Sequence, residues 1–200
     1  MTRTEDVAIA TQLGVDAVGF VLVPKSPRFI EMAKAAELRR RLPPFVAAVA
    51  LFQDADAPFV HDAIVQLKPD LLQFHGAEPE DFCTSFRLPF MKAISMHERQ
   101  DLPRLAQEFV SAAALLLDSH VGGDLGGTGR SFDWSAIAAV NKPIVLAGGL
   151  RPDNVAVAIR SARPFAVDVS SGIETRPGVK DSAKMRAFVE AVASADRMSA

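Results

Sequence analysis

Two short stretches carry the residue types that hold phosphate. Gly148 and Gly149 lie in LAGGLRPDN, directly before an expected helix, and Ser170, Ser171 and Gly172 lie in DVSSGIE. Backbone N–H groups at glycine turns and helix starts approach an anion closely, and the helix dipole favours its charge. Either stretch alone reads as a tight turn. Two of them after successive apolar runs read as one phosphate site. Neither is a G-x-x-x-x-G-K loop or a dinucleotide G-x-G-x-x-G, so no nucleotide cofactor is inferred. Asp118 closes the apolar run AALLLD. A carboxyl group there is partly desolvated, which raises its pKa and suits a general acid; an aspartate that merely caps the next loop has the same pattern. Arg28, after PKSP, can clamp a carboxylate through two N–H groups or make a surface ion pair. His75 can contact a ligand or hold a turn. Asp168 lies within FAVDV, where a buried aspartate needs a partner. Gly122, Gly123, Gly126, Gly127 and Gly129 form either a mobile lid or a surface loop. Cys83, on an expected helix, reads as a packing residue.

These residues gather because of the elements around them. Strands are expected at 17–23, 46–52, 71–74, 90–94, 113–117, 143–147 and 165–169, most of them apolar on both faces. Helices are expected at 33–42, 58–67, 78–86, 99–109, 133–140, 152–161 and 181–194. An opening helix precedes them, its start marked by the capping-box pair Thr2 and Glu5. Strand–helix alternation implies a parallel α/β sheet with right-handed crossovers. The polar and glycine residues all follow strands, the end at which such sheets carry their sites. The pattern gives eight helices and seven strands, one strand short of a (β/α)8 barrel.

With 200 residues and no linker or low-complexity tract, one domain is expected over 1–200. The net charge of −2 with mixed signs excludes a nucleic-acid footprint, and Arg39, Arg40 and Arg41 read as a solvated helix face. One cysteine excludes an intrachain disulfide and a cysteine zinc cluster, and no metal site is expected. No run is long enough to span a membrane and the N-terminus has no signal-peptide core, so a cytoplasmic location is the default.

Taken together and in order, GFVLVPKSPRFI, LLQFHG, LLLDS, GGTGRSFDW, LAGGLRPDNV and VDVSSGIETRPGVKD closely resemble phosphoribosylanthranilate isomerase of tryptophan biosynthesis. The resemblance runs over almost the whole chain. It implies a single-domain TIM-type (β/α)8 barrel without cofactor, performing an Amadori rearrangement of N-(5-phosphoribosyl)anthranilate. It makes Asp118 the general acid at the furanose ring oxygen and Arg28 the holder of the anthranilate carboxylate. Gly148, Gly149, Ser170, Ser171 and Gly172 become the phosphate loops, with His75 and Asp168 lining the same mouth. The family opens on a strand ending in Lys-Ile-Cys-Gly-hydrophobic-Thr, whose Cys is the general base. Met1-Thr2 matches the last two residues of that motif. The expectation is therefore an N-terminally incomplete barrel with little activity, and Cys83 is misplaced to substitute.

Other readings stay open on sequence alone. Another phosphosugar isomerase or epimerase barrel shares the phosphate loops, and so does a non-catalytic or inactive phosphosugar-binding barrel. The sequence does not set the oligomeric state.

Overall fold

A computed structural model of the chain describes residues 1–96, 100–119, 133–134 and 137–199, with side chains to 197. The chain runs α1 (Thr4–Gln12), β1 (Ala17–Val21), α2 (Met32–Arg39), β2 (Ala47–Phe52), α3 (Ala57–Leu67), β3 (Leu71–Phe74) and α4 (Glu80–Ser85). It continues β4 (Phe90–Ser95), α5 (Leu102–Glu108), β5 (Ala114–Asp118), β6 (Ile144–Leu146), α6 (Val155–Ala162) and β7 (Ala166–Val167). A small hairpin, β8 (Glu174–Arg176) and β9 (Val179–Lys180), precedes α7 (Ser182–Ser199). The seven main strands pair in parallel, in chain order from β1 to β7. With helices outside the curled sheet, this is a (β/α)8-type barrel built on seven strands.

Side-chain parity along the strands makes two apolar layers. Val18, Phe20, Ala50, Phe52, Leu72, Phe74, Leu115 and Leu117 face the helices. Val49, Met91, Ala93, Ala114, Leu116, Val145 and Ala147 fill the barrel interior. A strand buried on both faces reads as a continuous apolar run, which is why the sequence exposes these strands so clearly. Outside the sheet, Phe52 and Phe74 stack with ring centroids 5.8 Å apart, and Phe74 stacks on Phe86 at 6.0 Å.

Local chemistry sets several helix starts. Asp56 accepts a hydrogen bond from Phe59 N at 2.9 Å ahead of α3, and Asp101 does the same for Arg104 N at 3.1 Å ahead of α5. Each satisfies a backbone donor that the first helical turn leaves without an intrahelical partner. The capping box expected at Thr2 and Glu5 does not form. The N-cap is Arg3, without a side-chain cap, and the Thr2 hydroxyl instead donates to Gly178 O in the β8–β9 turn. A tertiary partner has taken the hydroxyl from its local one.

Seven α-helices stand among the described residues, against eight expected. Residues 133, 134 and 137–140 of the expected helix at 133–140 contain no α-helix. Trp134, in a 3-10 position, and Ile137 and Val140, in irregular backbone, pack on the core, so their three-residue spacing reports burial and not an α-helix. The expected strand at 165–169 shortens to Ala166–Val167. The Gly122–Gly129 segment expected as a lid lies outside the described residues.

β1 and β7 do not pair with each other, which leaves a seam. Ala17 and Gly19, on the inner face of β1, are exposed there. The β8–β9 hairpin lies along this seam. Lys180 N donates to Asp6 Oδ2 of α1 at 3.2 Å, Thr2 bonds Gly178 O, and the Met1 amine donates to Gly19 O.

Candidate active site

Strand parity decides which groups face the barrel mouth. In β5, Ala114 and Leu116 point inward, so Asp118 at the strand's C-terminal end does too. In β7, Ala166 packs inward, so Asp168, two residues on, follows it. The register brings them close. Leu117 pairs with Leu146 and Leu146 with Val167, so Asp118 and Asp168 flank Ala147 one residue further along. Ala147 N donates to Leu117 O and Asp168 N to Leu146 O, both at 2.8 Å, which continues the ladder to this level.

Around these carboxylates a mouth of about 300 Å³ opens to solvent. It is lined by Asp118, Ala147, Gly148, Gly149, Leu150, Asp168, Val169, Ser170 and Ser171. Both glycine and serine loops therefore meet the two carboxylates at one end of the barrel. Gly148 and Gly149 have φ of +77° and +66°, the left-handed region that favours glycine. A Cβ on Gly148 would collide with Ser119 and stand 2.7 Å from Asp118 Oδ1. The backbone can pass this close to the acid only without a side chain. Asn154 braces the loop, accepting from Arg151 N at 2.7 Å and donating to Gly149 O at 2.9 Å. The glycine pair does not directly precede a helix, as the sequence reading had it. α6 begins at Val155, after the Arg151–Asn154 turn that Asn154 closes. Gly172 sits just behind the mouth, where a Cβ would collide with Leu150 O, so the two loops pack backbone to backbone.

Asp168 is not the buried strand residue expected. Its side chain is exposed, because β7 ends at Val167 and the seam with β1 is open beside it. The crowded mouth first, and the Asp118 charge second, raise its carboxyl above the usual aspartate range. Asp118 is 9 % exposed.

Arg28 and His75 do not line this mouth. Gln73 Nε2 lies 2.8 Å from His75 Nε2 at the end of β3. Arg28 does clamp a carboxylate, but it is the protein's own. Nε and Nη2 donate to Glu174 Oε1 at 3.0 Å and Oε2 at 2.8 Å, with side-chain exposures of 11 % and 4 %. Lys180 Nζ shares Glu174 Oε1 at 3.0 Å and donates to Ser170 O at 2.9 Å. Burial raises the Glu174 carboxyl, but the Arg28 and Lys180 contacts outweigh it and the net shift is downward. Burial, foremost, lowers the Lys180 ammonium. Sequence reasoning assigned Glu174 and Lys180 no role. The available signal was an acidic and a basic residue facing inward from a hairpin beside a serine turn.

Cys83 is fully buried in α4, with Sγ 4.0 Å from Glu78 O, and burial pushes its thiol up to about 12. It is a packing residue, remote from the mouth. No group of three or more potential metal ligands is found among the described residues, and none of their helices is long and apolar enough to cross a membrane.

Comparison with known proteins points to one family. The family model described as N-(5'phosphoribosyl)anthranilate (PRA) isomerase matches residues 1–191. The N-(5'-phosphoribosyl)anthranilate isomerase of Nitrosococcus oceani is 47% identical over 195 residues, 97% of this chain and 95% of that protein. The crystal structure of phosphoribosyl anthranilate isomerase from Thermotoga maritima superposes with a TM-score of 0.88 at 36% identity, covering 97% of this chain and 96% of that one. A phosphoribosyl anthranilate isomerase in complex with reduced 1-(o-carboxyphenylamino)-1-deoxyribulose 5-phosphate superposes at 0.82, with 33% identity and coverage of 97% and 95%. This near-complete coverage lends no support to the expectation of an inactive, incomplete chain. The mouth, the barrel and these relatives place the chain in one family: it belongs to the N-(5'-phosphoribosyl)anthranilate isomerases, enzymes of tryptophan biosynthesis.

Proposed function

We propose that the mouth binds N-(5-phosphoribosyl)anthranilate and isomerises it to 1-(2-carboxyphenylamino)-1-deoxyribulose 5-phosphate. The observation that carries this is the meeting of Asp118 with the Gly148–Gly149 and Ser170–Ser171 loops in one cavity. The loops take the phosphate through backbone N–H groups and serine hydroxyls. Asp118 donates its proton to the furanose ring oxygen as the C1–O bond breaks, leaving a Schiff base between C1 and the anthranilate nitrogen. Loss of the C2 proton moves the double bond to C1–C2, and ketonisation gives the product. Arg28, beside the mouth, takes the anthranilate carboxylate, Asp168 stands near the sugar, and His75 pairs with Gln73 at the end of β3. The setting is the cytoplasm, and no cofactor is needed because the substrate supplies its own electron sink.

Product formation from N-(5-phosphoribosyl)anthranilate, followed chromatographically, tests this reading. Accumulation of 1-(2-carboxyphenylamino)-1-deoxyribulose 5-phosphate above the buffer rate supports it; a folded protein that gives none above buffer overturns it.

A further inference from the structure

Arg28 offers two edges for pairing with a carboxylate. Glu174 occupies the edge formed by Nε and Nη2, at 2.8–3.2 Å. Nη1 has no hydrogen-bond partner among the described residues, so the Nη1/Nη2 edge is the one left for an incoming anion. Glu174 is itself fixed from other directions: Lys180 Nζ at 3.0 Å on Oε1, Gly178 N at 3.3 Å on the same oxygen, and Lys184 Nζ at 2.8 Å on its carbonyl. Lys180 continues to Ser170 O at 2.9 Å, which is in the phosphate loop. Glu174 thus stands between the guanidinium at one end of the site and the phosphate loop at the other.

We propose that Glu174 is a positioning residue: it locks the Arg28 guanidinium in one orientation and sets its spacing from the phosphate loop, so that the site selects phosphosugars bearing an aryl carboxylate. This rests on the binding reading above. A free arginine side chain would spread its N–H groups over many rotamers, and a fixed planar fork loses less entropy for each hydrogen bond it makes.

The test compares two ligands, the reduced product analogue and its counterpart whose phenyl ring lacks the carboxylate, by calorimetric titration. Wild type should prefer the carboxylated ligand. In Glu174→Gln that preference should fall by about tenfold, the scale of a charge-assisted hydrogen bond, while affinity for the ligand without carboxylate is retained. Glu174→Asp keeps the charge beside Lys180 but withdraws the carboxylate by one methylene, so it should fold and still lose part of the preference. Parallel weakening of both ligands, or an unchanged preference in both variants, overturns the positioning role. If wild type binds neither ligand, the binding reading falls and this inference with it; if wild type binds both and the variants keep its preference, only this inference falls.

Discussion

Asp118 and Gly148 constrain each other at the mouth. The acid sits at the end of β5, and the glycine is forced to be glycine both by φ of +77° and by the acid's own oxygen at 2.7 Å from where a Cβ would be. Replacing Asp118 by Asn keeps the shape and removes the proton, so kcat should fall about 10²–10⁴-fold from the wild-type rate of this chain, with ligand affinity essentially kept; product chromatography and titration check both. Gly148→Ala should cost about 1–3 kcal/mol in urea unfolding, the usual cost of a residue held in a disfavoured backbone region, and should displace Asp118. Asp118 was legible in the sequence because a lone carboxylate ended an apolar run. The environment of Asp168 was not: the same alternation that made it look buried gives no sign that β7 stops at Val167 and that the seam opens beside it.

Among the elements, the loops after the strands are held by buried ionic contacts that local sequence does not announce. Glu78 accepts from Asp54 N at 2.7 Å, Gly76 N at 2.9 Å and Lys92 Nζ at 2.8 Å, tying the loops after β2 and β3 to β4. The Lys92 and Glu78 side chains are only 5 % and 3 % exposed. Lys92→Ala strands a buried carboxylate and should cost about 3–5 kcal/mol by urea unfolding. The Arg28–Glu174–Lys180 group does the same work at the seam. The Glu174 carboxyl is lowered in the folded state, so its stabilisation is complete above the ordinary glutamate value of about 4.3 and is lost as pH falls through the lowered value. Urea midpoints measured downward from pH 6 should decline in that window, and Glu174→Gln should flatten the decline. Strands and most helices were readable because periodicity is local. The Glu174 contacts join residues 146 positions apart and depend on barrel closure, so no window of sequence contains them.

At the scale of the molecule, a seven-strand barrel brings the chain after β5, β6 and β7 to one mouth, and the hairpin with α1 lies along its seam. The helix count was overread at 133–140, where burial of Trp134, Ile137 and Val140 imitates helical spacing. The barrel and its site-bearing end were legible from strand–helix order and from where the glycines fell. The central claim is that this mouth holds a phosphosugar bearing an anthranilate group. Calorimetric titration of the 200-residue chain with reduced 1-(o-carboxyphenylamino)-1-deoxyribulose 5-phosphate tests it most directly. The account predicts saturable one-to-one binding that inorganic phosphate competes away and that Gly148→Ala weakens. A chain that is folded by circular dichroism yet gives no saturable binding would contradict it.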